Sequence, residues 1–154
     1  MTPSEYFKKL QASLPKLERE LANKIIKGEA ANFVTENFEK EGFQNGGLQK
    51  WKPRKKPETV NEGTRKSDGS KAGRALLKQT GKLKRQATHP KVVGNHVDFV
   101  FTMPYAEVHN EGLQAGRGAG FTMPKRQFIG QSKDLDARVQ KKAIDFLNKK
   151  LDNL

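Results

Sequence analysis

Three histidines, at positions 89, 96 and 109, are the residues of this 154-residue chain best suited by type to acid–base or metal chemistry. Their separations match no helical or strand pair of metal ligands, such as two histidines one helical turn apart. His109 lies between Glu107 and Glu111, and that trio can be drawn as an acid/base group. Residues two apart on a helical turn point in different directions, however. The work expected of His109 is therefore structural: a hydrogen bond that fixes the turn before Gly112, with Tyr105 and Val108 packed beneath. The chain has no cysteine, so a thiol nucleophile, a disulfide framework and a Cys-based zinc site are all excluded. The run Gly116-Arg117-Gly118-Ala119-Gly120 lacks the preceding parallel strand and following helix of a phosphate loop. Serines occur without a nucleophile elbow. The residues thus argue for no enzyme, no catalytic residue, no cofactor and no metal.

Charge is the stronger chemical signal. The formal net charge is +13, and residues 48–91 hold fourteen Lys and Arg against three acidic residues, a net +11. So concentrated a positive segment implies an anionic partner, either nucleic acid or an acidic protein surface. Phosphate contacts through residues 48–91 would make the chain a basic nucleic-acid-binding protein. Against that reading, the segment has a single aromatic, Trp51, so a stacking platform for single strands is missing. No helix-turn-helix or finger pattern is present either. No apolar run reaches membrane-spanning length, and the first residues lack a signal-peptide pattern, so a protein made in the cytoplasm with no membrane partner is expected.

The elements that must position these residues read as one domain of the α+β class. We divide it into a helical part over 1–42, a basic flexible arm over 43–73, a sheet-forming core over 74–130 and a C-terminal helix over 131–154. Ser4 is expected to cap a first short helix. Ser13 and Pro15 open a second, in which Leu14, Leu17, Leu21, Ile25, Phe33 and Phe38 recur at helical intervals to about Glu41. This long helix spans roughly 40 Å at 1.5 Å per residue. Its alternative is a break near Gly28, with both halves folded back on one core. Gly42 and Asn45-Gly46-Gly47 end it.

The arm beyond these glycines is too polar to pack a core. Trp51 is either its anchor on a partner, with Lys52, Arg54, Lys55 and Lys56 contacting anions, or packs back on the domain beneath a solvated loop. A short helix over 74–82 should end at Gly81, burying Leu76, Leu77 and Leu83. Strands are expected over 85–88, 91–93 and 97–102, with a tight turn at Gly94-Asn95, then one helical turn from Tyr105 to Asn110. Residues 113–120 form a hairpin tip and 121–123 restart a strand. Ser132 caps a last amphipathic helix, which should cover the small, mainly antiparallel sheet beside the N-terminal helix.

Read in order, Trp51-x-Pro53, Leu77-x-x-Thr80-Gly81-x-Leu83, Tyr105-Ala106-x-x-His109-x-x-Gly112 and Met123-Pro124-x-Arg126-x-Phe128-x-Gly130 make a pattern. With the long N-terminal helix before and the charged helix after, it resembles the virion morphogenesis (tail completion) proteins of Mu-like tailed bacteriophages. The resemblance implies a structural subunit of a phage or prophage, acting in tail completion or head-to-tail joining as part of a homo-oligomeric ring. It implies assembly in the bacterial host cytoplasm and a place at the tail end or neck, against other tail or neck proteins. The positioning residues expected on this reading are Trp51, Tyr105, His109, Arg126 and Phe128. Phe128 would be buried while Arg126 reaches a carboxylate across the interface, or both would serve only the subunit's own fold.

Overall fold

The computed structural model describes residues 2–53, 76–78, 80–118 and 120–152. Helix α1 (Pro3–Leu21) runs through a π turn at Ala22–Ile26 into α2 (Lys27–Lys40). The three make one rod of roughly 57 Å at 1.5 Å per residue, longer than the sequence indicates. Its cap is Thr2, not Ser4. The Thr2 hydroxyl accepts from Glu5 N–H and the Glu5 carboxylate accepts from Thr2 N–H, a reciprocal capping box. No second helix starts at Ser13. Its hydroxyl donates back to the Leu10 carbonyl, and Pro15 lies inside the helix on a face open to water, which can hydrate the carbonyl the proline leaves unpaired. Gly28 does not break the rod either. The irregularity is the π turn, where the helix meets both the C-terminal helix (Lys133–Leu151) and the strand His96–Asp98, and its extra residue rotates the rest of the rod by about 100°.

That rotation sorts the apolar positions. Leu17 is the one buried residue in α1, whereas α2 buries Ala30, Phe33, Val34, Asn37 and Phe38. The helix ends at Lys40, and Glu41, in the left-handed conformation (φ 48°), caps it before Gly42. Gly42 instead begins β1 (Gly42–Gln44), which pairs antiparallel with β2 (Leu48–Lys50). A Cβ at Gly42 would stand 2.7 Å from the Gln49 carbonyl oxygen, so the hairpin closes only over glycine. The arm expected from residue 43 thus starts later, since 42–50 is a ribbon and Trp51 is core. Residues 43–47 looked like loop because the turn glycines outnumber the apolar residues; Phe43, 2% exposed, was the signal.

Two further expectations give way. Gly81 starts a helix rather than ending one, and α3 (Lys82–Ala87) occupies most of the strand expected over 85–88. Leu83 and Ala87 are four apart and both buried, so the 3.6-residue period holds where strand alternation was read. Strand pairing in the run 97–102 stops early: β3 (Lys91–Val93) pairs with β4 (His96–Asp98) across the Gly94-Asn95 turn, and Phe99 and Phe101 continue unpaired onto the core. As the sequence indicates, α4 (Tyr105–Glu111) stops at Gly112, and β5 (Gln114–Ala115) and β6 (Phe121–Thr122) make the hairpin around the glycine tip. At Gly112 (φ 73°), a Cβ would press to within 3.0 Å of the Lys125 backbone nitrogen.

The fold is α+β, and its strands form three separate antiparallel ribbons among the described residues rather than one sheet. Helix α5 (Lys133–Leu151) is capped by Ser132, whose hydroxyl accepts from Leu135 N–H and donates to the Gln44 carbonyl. It packs on the long rod, not over a sheet face. Ion pairs fix the two as antiparallel: Arg138 with Glu36, Lys142 with Glu29, and Lys150 with Glu20 at 2.9 Å. Arg138 holds Glu36 through two bonds of 2.7 and 2.9 Å.

This fork holds the Glu36 carboxyl down at about 2 from an ordinary 4.5. A depressed carboxyl contributes stability above its unfolded value and loses it as pH falls toward the folded one. About a third of each side chain is in water, so the contribution is screened to about 1–2 kcal/mol. Urea denaturation should show wild-type stability falling between pH 4.5 and about 2. Glu36→Gln should flatten that slope and cost a similar amount at neutral pH; an unchanged slope would remove the pair from the acid response.

Candidate functional site

Phe128 is the centre on which the predicted residues converge. Its ring is fully buried, 5.3 Å from Phe38 and 5.7 Å from Phe101, and Trp51 meets the other side of Phe38 edge-on at 5.5 Å. The segment 126–129 belongs to no helix and pairs with no strand among the described residues, so its backbone groups need other partners. Arg126 N–H donates to the His109 carbonyl (2.8 Å), and the Gln127 carbonyl accepts from the Trp51 indole (2.6 Å). Asn110 accepts from both Phe128 N–H (2.9 Å) and Ile129 N–H (3.1 Å). The Phe128 carbonyl accepts from Asn37, which also accepts from Gln44 N–H and from the Gln44 side-chain amide.

Asn37 and Asn110 were not singled out from the sequence. Each sits at a position where a helix face turns inward, and an amide amid buried apolar neighbours was the available signal.

Trp51 is 6% exposed and packs back on the domain, as the second of the two sequence alternatives holds. Arg126 is also buried. Its Nε donates to the Lys52 carbonyl (3.0 Å) and one terminal nitrogen to the Pro53 carbonyl (3.4 Å), so it grips the backbone on which the arm begins. The other end returns to the same place. Leu76 N–H donates to the Glu41 carboxylate (2.7 Å), while Trp51 N–H donates to the Glu41 carbonyl (2.7 Å). One left-handed residue at the end of α2 therefore ties down both the entry and the exit of residues 54–75. The Lys52 side chain is exposed at this root, while Arg54, Lys55 and Lys56 lie outside the described residues.

Beside the root is a cavity of about 440 Å³ lined by Leu76, Leu77, Leu83, Tyr105, His109 and Arg126. Tyr105 is 40% exposed and stands edge-on to His109 at 6.2 Å instead of packing beneath it. The hydrogen bond expected from the His109 ring is not made: Nδ1 is buried and has no partner. The turn before Gly112 is held by main-chain bonds from Gly112 and Leu113 to the Val108 carbonyl and by Asn110 instead. Burial, and then the nearby Arg126 charge, push the His109 pKa below 6.5. A lowered histidine favours folding above its unfolded value and opposes it as pH falls below, so this site holds a neutral ring.

No bond joins that ring to Glu107 or Glu111, and Glu111 is occupied by Asn110 and Lys125. No group of three or more metal-ligating side chains is assembled among the described residues. Nor is any helix there long and apolar enough to cross a membrane.

Removing the Asn110 amide leaves one buried and one half-buried N–H donor unpaired, at about 1–3 kcal/mol each with the half-buried one at the low end. Asn110→Ala should therefore lower unfolding free energy by about 3 kcal/mol in urea titrations, against about 0.5 kcal/mol or less for Lys125→Ala on the surface. Equal losses from the two variants would show that the segment 126–129 does not depend on this amide.

The chain matches the phage virion morphogenesis family over residues 4–148. No curated protein and no solved structure matches it. The matched span takes in the long rod, the arm, the Phe128 centre and nearly all of α5, and we conclude that the chain belongs to the phage virion morphogenesis family.

Proposed function

We propose that the chain is a structural subunit that completes the tail or joins head to tail, adding to the tail end or neck as a ring. The observation that carries this reading is the construction at Glu41 and Arg126. A rigid core grips both ends of residues 54–75, a stretch holding seven Lys and Arg against three acidic residues. A segment too polar to pack a core of its own is suited to order against a partner, while its fixed root sets where it starts. Membership of an assembly family supplies the context, and a ring requires two different patches on each subunit. Trp51, Phe128 and Arg126 act here as positioning residues, holding the arm's root from within the subunit, and Tyr105 and His109 line the cavity beside it.

Four charges at the root and start of the arm test the proposal. In cells carrying the phage genome without this gene, the wild-type chain should restore joined particles. The variant Lys52→Glu, Arg54→Glu, Lys55→Glu, Lys56→Glu should fold normally by circular dichroism. It should leave filled heads beside free tails in electron micrographs, with infectious yield down about tenfold or more, since like charges placed at an interface cost several kcal/mol. Normal yield from that variant would count against the arm.

The net +11 over residues 48–91 favours one second reading, contact with duplex phosphates. In gel shifts, log affinity should then fall with log salt by about 0.9 for each phosphate contacted, and the four-charge variant should lose about 3.6 from that slope if each charge contacts one phosphate. Affinity indifferent to salt between about 50 and 200 mM would exclude phosphate contact.

A further inference from the structure

The imidazole of His109 is a polar group that the fold itself does not use. The residue serves the core through its main chain, whose carbonyl accepts from Arg126 N–H at 2.8 Å, and any side chain leaves that bond in place. The ring makes no hydrogen bond to a described residue. Nδ1 is shut off from water and unpaired, so Nε2 is the nitrogen that remains accessible. A buried N–H left without an acceptor is rarer than an under-satisfied acceptor, which places the proton of the neutral ring on Nε2. His109 thus offers a donor to the cavity of about 440 Å³ that it lines.

The rest of the cavity has the same polarity. The Arg126 guanidinium stands in its wall, fixed by the Lys52 and Pro53 carbonyls, and its positive charge reaches the His109 ring. Tyr105 turns its hydroxyl hydrogen away to Met103 Sδ, at 2.7 Å, and the Thr80 hydroxyl accepts from Lys82 N–H at 3.5 Å. No acidic side chain is among the described residues that line the cavity. Leu76, Leu77 and Leu83 complete the wall, with Leu77 held in the left-handed conformation (φ 58°). A recess that combines a donor and positive charge with leucine walls is complementary to an anion on an apolar stem.

We propose that this cavity receives an aspartate or glutamate side chain of a partner protein in the particle, with His109 Nε2–H as its hydrogen-bond donor and the Arg126 charge as its electrostatic complement. This rests on the reading that the chain joins parts of a tail or neck. A carboxylate side chain brings methylenes to bury against the leucines, whereas a nucleic-acid phosphate arrives on a polar, hydrated strand.

Two variants separate binding from folding. His109→Phe keeps a ring and removes both nitrogens, and because the orphaned Nδ1 goes with them, the midpoint of urea unfolding should stay or rise. His109→Gln keeps a side-chain donor. In cells carrying the phage genome without this gene, His109→Phe should leave filled heads beside free tails, with infectious yield down about tenfold or more, and His109→Gln should recover part of the yield. In solution, isocaproate should move the nitrogen NMR shift of His109 Nε2 in the wild-type chain to saturation. Isocaproamide and inorganic phosphate should not, and the exposed His89 and His96 serve as references.

No shift with isocaproate, or an equal shift with the amide or with phosphate, would overturn the carboxylate. A lower unfolding midpoint for His109→Phe would make the ring structural and overturn it too. Normal yield from a folded His109→Phe chain would overturn the contact and leave the assembly role intact. Joined particles formed without the gene would overturn both readings.

Discussion

A segment that enters a core outside helix or sheet must find other partners for its buried peptide groups, and here that problem is solved at Phe128. Its N–H and carbonyl are taken by Asn110 and Asn37, side chains from two different helices. Those two bonds fix α4 and α2 on the two peptide units that flank one residue, and the phenyl ring packs on Phe38 and Phe101. Neither half works alone. Burying the ring contributes about 1.5–3 kcal/mol. Leaving its peptide groups unpaired would cost about as much, so the aromatic cluster forms only where both amides are present.

The arm's root depends on the same segment. Arg126 and Gln127 precede Phe128, and through the arginine fork and the Gln127 carbonyl they hold Pro53, Lys52 and Trp51. Glu41 completes the arrangement by occupying a left-handed conformation, one that residues other than glycine adopt at some cost and that persists where surroundings hold it. Its carboxylate and its carbonyl each take one end of the arm. Both ends of residues 54–75 are thus fixed by one residue of the rod.

Much of this was legible in the sequence where a pattern had one physical meaning. The α4 stop at Gly112, the glycine-tipped hairpin and the Ser132 cap derive from turn and cap chemistry, and the long helix to Glu41 from the helical period of its apolar residues, though neither its start nor its continuity with the first helix was legible. The failures share a cause. Arg85 to Thr88 reads as a strand because four residues cannot distinguish a period of 2 from one of 3.6, and only the burial of Leu83 with Ala87 decides it. The β1–β2 ribbon hid in a glycine-rich stretch whose one buried apolar side chain, Phe43, packs on Phe33 at 5.7 Å. For the site, Tyr105, His109, Arg126 and Phe128 were legible as a group because turn chemistry marks them. Asn37 and Asn110 were not, because a polar residue on a helix reads as solvent-facing until the segment it serves is in place.

The small core gives this arrangement its wider meaning. Hydrophobic residues are only 34% of the chain, α5 buries no residue fully, and the first turns of α1 keep their stripe in water. What is well packed is confined to the junction of α2, α3, α4, Trp51 and the Phe128 segment. Apolar surface left outside such a core gains its burial free energy only on contact with another body. The chain therefore has a packed centre and, on α1, an apolar stripe left outside it. The Phe128 junction holds the root at Trp51–Pro53 directly and the α1 stripe at a distance, through the rod.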